Sequence, residues 1–256
     1  MDLGLSDRVY VLTGATRGLG GATAEALVAD GARVVVSGRR QEGVDAAVAR
    51  LAGIGGEGCA VGVAADNADP DAAARLVAAA RDTWGRLDGC LVSVGGPPGG
   101  AVTAMTDEQW TGAFESVFLG AVRVAREVAA GLGEGGSIAF VLSTSVRQPV
   151  AGLAISNGLR PGLAMVAKDL ADELGPRGIR VNGLLPGRVA TERVAELDAA
   201  TGDREAAEAA MRAQIPLRRY GRPEEFGRVA AFLLSPASGF VSGAMVPVDG
   251  GMTRGL

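Results

Sequence analysis

The sequence predicts a single α/β domain in which helices cover both faces of a parallel β-sheet. Short runs rich in Val, Ile and Leu alternate with longer alanine-rich stretches of helical spacing, which is typical of a parallel sheet buried on both faces. A chain of 256 residues with 48% hydrophobic composition is sufficient for one large core. Because no shift in composition divides the chain, we expect one domain over residues 1–256.

Seven short apolar runs are predicted to be the strands. They are Val9–Thr13, Arg33–Ser37, Ala60–Ala64, Leu87–Val94, Ile138–Leu142, Arg180–Leu184 and Met245–Val248. The clearest helical stretches between them are Asp71–Trp84, Thr106–Leu132 and Leu159–Leu174. The region Arg188–Gln214 is charged, alanine-rich and the least regular, so we predict a helical lid there, inserted after the sixth strand.

Composition and charge argue against several classes of function. The net charge of -4 gives no electrostatic reason to expect a nucleic acid or an anionic membrane as partner. No apolar run reaches the roughly 18 residues of a membrane helix, and Met1-Asp2-Leu3-Gly4 lacks a basic signal-peptide start. Two cysteines make no disulfide framework, which predicts a reduced, cytoplasmic setting. The chain has no histidine, so we expect no imidazole catalysis and no metal site.

A glycine-rich turn follows the first predicted strand and opens an alanine-rich helix. Glycines let the backbone adopt conformations closed to other residues and approach a pyrophosphate, and free amides at the helix start favour an anion. The turn therefore predicts a dinucleotide site, with a ligand-free turn as the alternative. Its residues, within the segment 13–20, are Gly14, Thr16, Arg17, Gly18, Leu19 and Gly20.

The end of the second strand predicts which dinucleotide binds. A ribose 2′-hydroxyl is usually held by an acidic residue at this position, whereas a 2′-phosphate favours arginine. Here the strand ends without an acid and runs into Arg39 and Arg40, and Arg17 lies in the glycine turn. Guanidinium groups bind phosphate in a bidentate geometry, so we predict NADP(H). The alternative is that Arg39 and Arg40 are solvated surface charges.

The glycine turn and four later segments resemble the short-chain dehydrogenase/reductase family over nearly the whole chain. These segments are Val63–Asp66, Arg180–Gly187 followed by Thr191, Ile215–Glu225, and Leu234–Gly251. The resemblance implies a Rossmann-like doubly wound sheet with the cofactor at its carboxyl edge. It also implies an adenine contact at Asp66, with Asn67 beside it, and a nicotinamide contact at Pro186, Gly187 and Thr191. Family members are commonly dimers or tetramers, so we expect a homodimer or homotetramer.

The catalytic positions depart from the family pattern. Family members usually carry Asn-Asn-Ala-Gly after the fourth strand, where this chain has Ser93-Val94-Gly95-Gly96. The family tetrad is an Asn, a Ser and a Tyr-x-x-x-Lys. Counting without gaps from the fifth strand places the serine, tyrosine and lysine positions at Ser143, Ser156 and Arg160, and the asparagine position, taken from the helix Phe114–Arg126, is Val117. Ser145 competes with Ser143 for the serine position. We take Ser143, Ser156 and Arg160 as the catalytic candidates, and Arg160 also as a candidate for holding the cofactor's ribose.

These substitutions change the acid–base chemistry that the site can perform. Hydride transfer to a carbonyl leaves an alkoxide, which a tyrosine protonates when a nearby lysine lowers its pKa. Serine is a weaker acid, and arginine holds its proton but can stabilise an anion. No tyrosine takes the missing place, because Tyr10 lies in the first strand, where we predict a core position, and Tyr220 lies outside the tetrad segment. Cys90, within the fourth strand, is predicted to be a small apolar residue.

Each catalytic candidate also has a structural alternative. Ser143 can satisfy backbone groups at a strand end, Arg160 can be a cation on a helix surface, and Ser156 with Asn157 can cap a helix. Three functions therefore remain open. The first is an atypical NADPH-dependent carbonyl reductase or alcohol dehydrogenase acting on a small molecule. The second is a non-redox enzyme on the same fold, and the third is a cofactor-binding partner protein without catalysis.

Overall fold

The computed structural model describes residues 2–255, and seven strands in this range form one parallel sheet. The strands are β1 (Val9–Leu12), β2 (Arg33–Gly38), β3 (Ala60–Ala64), β4 (Gly89–Val92), β5 (Ser137–Val141), β6 (Arg180–Pro186) and β7 (Met245–Val248). Their order across the sheet is β3-β2-β1-β4-β5-β6-β7. The predicted α/β class and the seven predicted strands are confirmed, with ends that shift by up to two residues.

Helices cover both faces of this sheet. They are α1 (Gly18–Ala29), α2 (Gln41–Gly55), α3 (Ala72–Trp84), α4 (Asp107–Ala113), α5 (Gly120–Gly131), α6 (Ala154–Leu174), α7 (Glu192–Ala199), α8 (Arg204–Gln214) and α9 (Pro223–Leu234). A π-helical turn, Phe114–Leu119, joins α4 to α5, so the predicted stretch Thr106–Leu132 is one interrupted helix. Helix α6 begins five residues before the predicted start at Leu159, because packing overrides the low helix propensity of Asn157 and Gly158.

Two apolar cores lie on the two faces of the sheet. Along β1 the side chains alternate between them, with Val9 and Val11 in one core and Tyr10 and Leu12 in the other. Tyr10 is 1% exposed, and its hydroxyl donates to the Leu234 carbonyl oxygen, which confirms its predicted core position. Cys90 is fully buried in β4, also as predicted.

The chain reverses its direction of travel across the sheet between β1 and β4. Strands β2 and β3 are added on one side of β1, and β4 to β7 follow on the other. The loops after β1 and β4 therefore separate at the carboxyl edge and leave a crevice, the usual ligand position in such sheets. The Thr13 hydroxyl marks its base, because it donates to the Ser93 carbonyl oxygen at 2.8 Å and accepts from the Ser93 amide at 2.9 Å.

Residues 188–214, predicted to be a helical lid, contain the helices α7 and α8. A short parallel bridge between Val189 and Gly221 joins the start of this insertion to the segment that follows it. Within it, the Ala190 amide donates to the Gly221 carbonyl and the Gly221 amide donates to the Arg188 carbonyl. No helix within residues 2–255 has the length and apolar character needed to cross a membrane.

Candidate active site

The glycine turn is shaped by close backbone contacts. Gly14 has a φ of +55°, and a Cβ atom there would lie 2.6 Å from the Ser93 carbonyl oxygen. A Cβ atom on Gly20 would lie 2.5 Å from the Gly14 carbonyl oxygen. Both separations are shorter than real Cβ contacts, so only glycine fits without a shift of the backbone.

Helix α1 begins inside this turn and leaves its first amides available. No side chain caps it at Arg17, and its first turn carries no acidic residue. A helix start of this kind is an anion-binding position. The end of β2 packs against the turn, because a Cβ atom on Gly38 would lie 2.6 Å from Thr16 Cγ2. The close backbone contacts at Gly14 and Gly20 and the uncapped start of α1 together fit a dinucleotide pyrophosphate.

The two arginines predicted to bind a 2′-phosphate have different surroundings. Arg39 is exposed and makes no ion pair with any residue in the part of the chain that the structure describes. Arg17 forms an ion pair with Glu192, the first residue of α7. The glycine turn and the start of the insertion are therefore in contact. The Glu192 carboxylate competes with a phosphate for Arg17.

The predicted adenine contacts lie at the end of β3. Asp66 is exposed, and its Oδ1 accepts a hydrogen bond from the Ala68 amide at 3.0 Å. The backbone of Asn67 packs on α5, since a Cβ atom on Gly120 would lie 2.3 Å from the Asn67 carbonyl oxygen. Asp66 therefore lies on an open edge two strands away from the crevice, where its role toward adenine stays a prediction.

The predicted nicotinamide contacts lie beyond β6. The Gly187 amide donates to the Val248 carbonyl oxygen at 3.1 Å, which ties the end of β6, at Pro186, to β7. Thr191 caps α7 by accepting from the Val194 amide, and its Cγ2 lies 3.7 Å from the place of a Cβ atom on Gly18. The segment after β6 and the glycine turn thus meet across the crevice. Contact with a cofactor stays a prediction for all of these residues.

Of the three serines near the family's catalytic positions, the structure pairs Ser145 with Ser156. Their hydroxyl oxygens are 3.3 Å apart, either can be the donor, and both side chains are buried. Ser143 Oγ instead accepts from the Ser145 amide at 3.0 Å and caps a short helical turn. Ser143 therefore satisfies a backbone group at the strand end, which is the structural alternative considered for it. Its hydroxyl proton is still free to donate.

Arg160 lies inside the protein, so its alternative reading as a helix-surface cation is wrong. It is 5% exposed, and Nη1 and Nη2 donate to the carbonyl oxygens of Val141 at 2.7 Å and of Val94 at 3.4 Å. No carboxylate within residues 2–255 pairs with it. Burial lowers the pKa of Arg160 to about 10, which leaves the guanidinium charged at neutral pH. A buried cation without a counter-ion can stabilise an anion in the crevice.

Val117, which we expect at the position of the family asparagine, lies within the π-helical turn. Its side chain is 3% exposed and belongs to the core. Single π-helical turns occur frequently at functional sites. In this turn the apolar side chain of Val117 neither donates nor accepts a hydrogen bond.

The helix-cap alternative for Ser156 and Asn157 is also wrong. Helix α6 has Leu153 at its cap position, without a side-chain hydrogen bond, and both residues lie inside its first turns. Asn157 instead bonds the backbone of Val150 twice, accepting from its amide at 3.0 Å and donating to its carbonyl at 2.9 Å. No local pattern predicts this pairing, because it depends on how the preceding loop folds back.

A second group that sequence reasoning missed lies in the insertion. Asp198 of α7 is 4% exposed, accepting from the Tyr220 hydroxyl at 2.9 Å and from Arg188 Nη1 at 3.0 Å. Burial, followed by the hydrogen bond to Asp198, raises the pKa of Tyr220 to about 12. Tyr220 is therefore a poor proton donor near neutral pH. Asp198 is one of many charges in its segment, so its pattern did not distinguish it from surface residues.

The chain is similar to known proteins over nearly its full length. A family model described as Enoyl-(Acyl carrier protein) reductase matches residues 14–253. An uncharacterized oxidoreductase of Methylorubrum extorquens is 37% identical over 97% of this chain and 98% of that protein. Dehydrogenase/reductase SDR family member 4 of Homo sapiens is 35% identical over 96% of this chain and 88% of that protein. The structure of L-sorbose reductase from Gluconobacter frateurii, complexed with NADPH and L-sorbose, superposes with a TM-score of 0.93 at 29% identity, covering 100% of both chains.

Proposed function

Because the chain belongs to the short-chain dehydrogenase/reductase family, as an oxidoreductase, we propose that it uses NADP(H) to interconvert a carbonyl and an alcohol of a small molecule, with substituted catalytic residues. The crevice at the carboxyl edge of β1, β4 and β5 is the proposed site. Ser156 and Arg160 stand where the family's tyrosine and lysine are expected.

The choice of NADP(H) is supported by charge at the nucleotide end. Arg39 is exposed and free of ion pairs within the described chain, and no acidic residue ends β2. The uncapped start of α1 would hold the pyrophosphate, and Arg39 with Arg17 would hold the 2′-phosphate. L-sorbose reductase, which is similar in structure, was solved with NADPH. When bound, NADPH supplies the hydride that reduces a carbonyl carbon.

The buried, unpaired charge of Arg160 is the observation that carries the proposed chemistry. It lies in α6 one helical turn after Ser156, whose hydroxyl is paired with that of Ser145. In a serine pair, one hydroxyl can donate a hydrogen bond to the other, and the second hydroxyl can donate a hydrogen bond to a substrate oxygen without transferring its proton. The guanidinium stabilises the negative charge that develops on that oxygen during reduction. Water then supplies the proton that completes the alcohol, because neither serine is a strong enough acid.

A second candidate function is a cofactor-binding subunit without turnover. Both tyrosines of the chain have raised pKa values, Tyr10 because it is buried and Tyr220 because of burial and Asp198. With no histidine in the sequence, no side chain matches the usual proton donor. This candidate predicts tight nucleotide binding and no reduction of any carbonyl compound.

We also propose that the protein forms a homodimer or homotetramer through its long helices. Phe114 in the π-helical turn is 43% exposed, and Met165 in α6 is 63% exposed. Exposed apolar side chains on neighbouring helices favour association. Light scattering of the wild type and of Met165→Glu tests this, and a monomeric wild type would contradict it.

The test of the catalytic proposal is to restore the family pair with Ser156→Tyr and Arg160→Lys. Oxidation of NADPH is followed across a panel of ketones for the wild type and the double variant. Because general acid catalysis contributes about a hundred- to ten-thousand-fold, the double variant should reduce ketones faster than the wild type. Adding Ser143→Ala or Ser145→Ala to the double variant identifies which serine supports the new tyrosine.

The other outcomes separate the candidate functions. If the wild type reduces a ketone quickly and the restored pair abolishes that activity, Ser156 and Arg160 have a catalytic role of their own. Nucleotide binding without turnover in every variant favours the cofactor-binding subunit. Absence of nucleotide binding in every variant would overturn the oxidoreductase proposal.

A further inference from the structure

Two loops border the crevice beside Ser145 and Ser156, and they are bonded to each other. We call residues 95–100, after β4, and residues 147–153, before α6, the cleft rim. The Gly100 amide donates to the Gly152 carbonyl oxygen at 2.7 Å, and the Ala154 amide donates to the Gly100 carbonyl oxygen at 3.2 Å. Together these bonds form an isolated parallel bridge between Gly100 and Leu153. Any change in one rim loop therefore moves the other.

The insertion is attached to the same rim. Arg193 of α7 donates from Nη2 to the Pro97 carbonyl oxygen at 2.8 Å. Leu197 of the same helix comes within 3.8 Å of the place where a Cβ atom on Gly99 would lie. Helix α7, the loop after β4 and the loop before α6 therefore meet near Gly99.

Asn157 is the side chain that fixes this rim to α6. Its amide group satisfies both backbone groups of Val150, and its own backbone N–H is already bonded to the Leu153 carbonyl oxygen. Helix α6 therefore does not depend on the Asn157 side chain for its backbone hydrogen bonds. The loop that contains Val150 does depend on it. Asn157 also lies next to Ser156 and three residues before Arg160, on the helix that carries the proposed catalytic groups.

We infer that Asn157 is a positioning residue that sets substrate affinity and selectivity by holding the cleft rim. The inference rests on the proposed function, because it assumes that the substrate enters between the rim and the serine pair. Asn157 contacts none of the reacting groups, so its loss changes KM more than kcat.

Asn182 provides a matched control on the opposite side of the sheet. It donates to the Val241 carbonyl oxygen at 2.8 Å and accepts from the Ala244 amide at 3.0 Å, so it also fixes one loop through two backbone bonds. That loop precedes β7 at the amino edge, far from the crevice. Asn157→Ala and Asn182→Ala therefore remove equivalent bonds, and only the first of them borders the proposed substrate space.

The experiment compares the wild type with Asn157→Ala, Asn157→Asp and Asn182→Ala. Steady-state kinetics at saturating NADPH use the best ketone of the panel, and hydrogen exchange follows residues 147–153. Loss of two hydrogen bonds should raise KM about tenfold in Asn157→Ala, with kcat and NADPH affinity within about twofold. Exchange at residues 147–153 should become faster. Asn157→Asp keeps the acceptor for the Val150 amide, so its KM should lie between those of the wild type and the alanine variant.

An unchanged KM in Asn157→Ala, or an equal rise in Asn182→Ala, would overturn the inference. If the wild type reduces no carbonyl compound, the proposed function fails and the inference about substrate affinity fails with it. If the wild type is active, unchanged exchange at residues 147–153 in Asn157→Ala also overturns the inference, because Asn157 then does not hold the rim.

Discussion

One buried arginine lies at the carboxyl edge of the sheet and another at the amino edge, and neither has a carboxylate partner within the described residues. The two differ in the number and length of the hydrogen bonds that their guanidinium groups make. At the amino edge, Arg180 donates to the Leu233 and Ser235 carbonyl oxygens and to Ser238 Oγ, all within 2.9 Å. At the carboxyl edge, Arg160 reaches only two carbonyl oxygens, one of them at 3.4 Å. Burial lowers the pKa of both guanidinium groups.

This difference separates a structural cation from one with capacity for a ligand. A buried charge is tolerated when neutral acceptors surround it, as they do around Arg180. Within the described residues, Arg160 uses two of its five N–H donors against three for Arg180, and it lies at the edge where parallel sheets bind their ligands. The following predictions test how far this contrast holds.

The largest effect is expected from removing the two charges separately. Arg160→Met should lower kcat for ketone reduction by about a hundred- to thousand-fold, because the developing oxyanion loses its cation. Its free energy of unfolding should fall by no more than about 1 kcal/mol, since the desolvation cost of the charge is also removed. Arg180→Met should do the reverse, with a clear loss of stability and an unchanged kcat. Urea unfolding measures the free energy of unfolding of the two variants, and NADPH oxidation measures their kcat. Equal losses of kcat in the two variants would contradict the distinction between a structural and a ligand-binding arginine.

The next effect concerns the backbone of the carboxyl edge. In Gly20→Ala the new Cβ atom must displace the Gly14 carbonyl oxygen, so NADPH affinity should fall about ten- to hundredfold. Gly43→Ala in α2 is the control, because no atom lies within 4 Å of its added Cβ and a helix favours alanine. Fluorescence titration gives both affinities. Unaltered binding in Gly20→Ala would mean that the turn does not hold the nucleotide.

A smaller effect is expected where the nucleotide's ribose would lie. Arg39→Asp should lower NADPH affinity about tenfold and leave NADH affinity unchanged or improved, because a carboxylate repels a 2′-phosphate and accepts from a 2′-hydroxyl. Arg40→Asp is the neighbouring control. Equal affinity of the wild type for NADPH and NADH in the same titration would contradict the assignment.

The smallest effect is a surface one, near the start of α9. Arg219 pairs with Glu225 through two hydrogen bonds and, with the Arg222 amide, lowers the pKa of that carboxyl to about 2. Glu225 therefore contributes stability above its ordinary pKa near 4.5, and this contribution disappears as the pH falls through about 2. The stability gap between the wild type and Glu225→Gln should be constant near neutral pH and close between pH 4.5 and 2. Glu224→Gln, followed by the same acid unfolding, is the control for loss of a carboxylate that makes no ion pair within residues 2–255.

Strand alternation and the glycine turn were predictable because they depend on local pattern. Apolar runs of strand length and glycines at fixed spacing have the same meaning wherever the chain places them. The burial of Arg160 was not predictable in this way. Its neighbours Ser156, Asn157 and Gly158 are polar or small, so the helix pattern alone does not show which face is covered. The Ser145–Ser156 pair and the Asn157–Val150 bonds likewise depend on a loop that folds back onto α6.

The bridge between Val189 and Gly221 has a consequence for how this architecture can vary. Val189 and Gly221 are bridged, and Arg188 and Tyr220 bind the same carboxylate of Asp198, so the chain leaves the sheet and returns to it at one fixed point. Closing a loop at a fixed point costs little extra entropy as the loop lengthens. The chain between Asp198 and Tyr220, which includes α8, can therefore change in length while β6, β7 and the anchored helix α7 keep their positions.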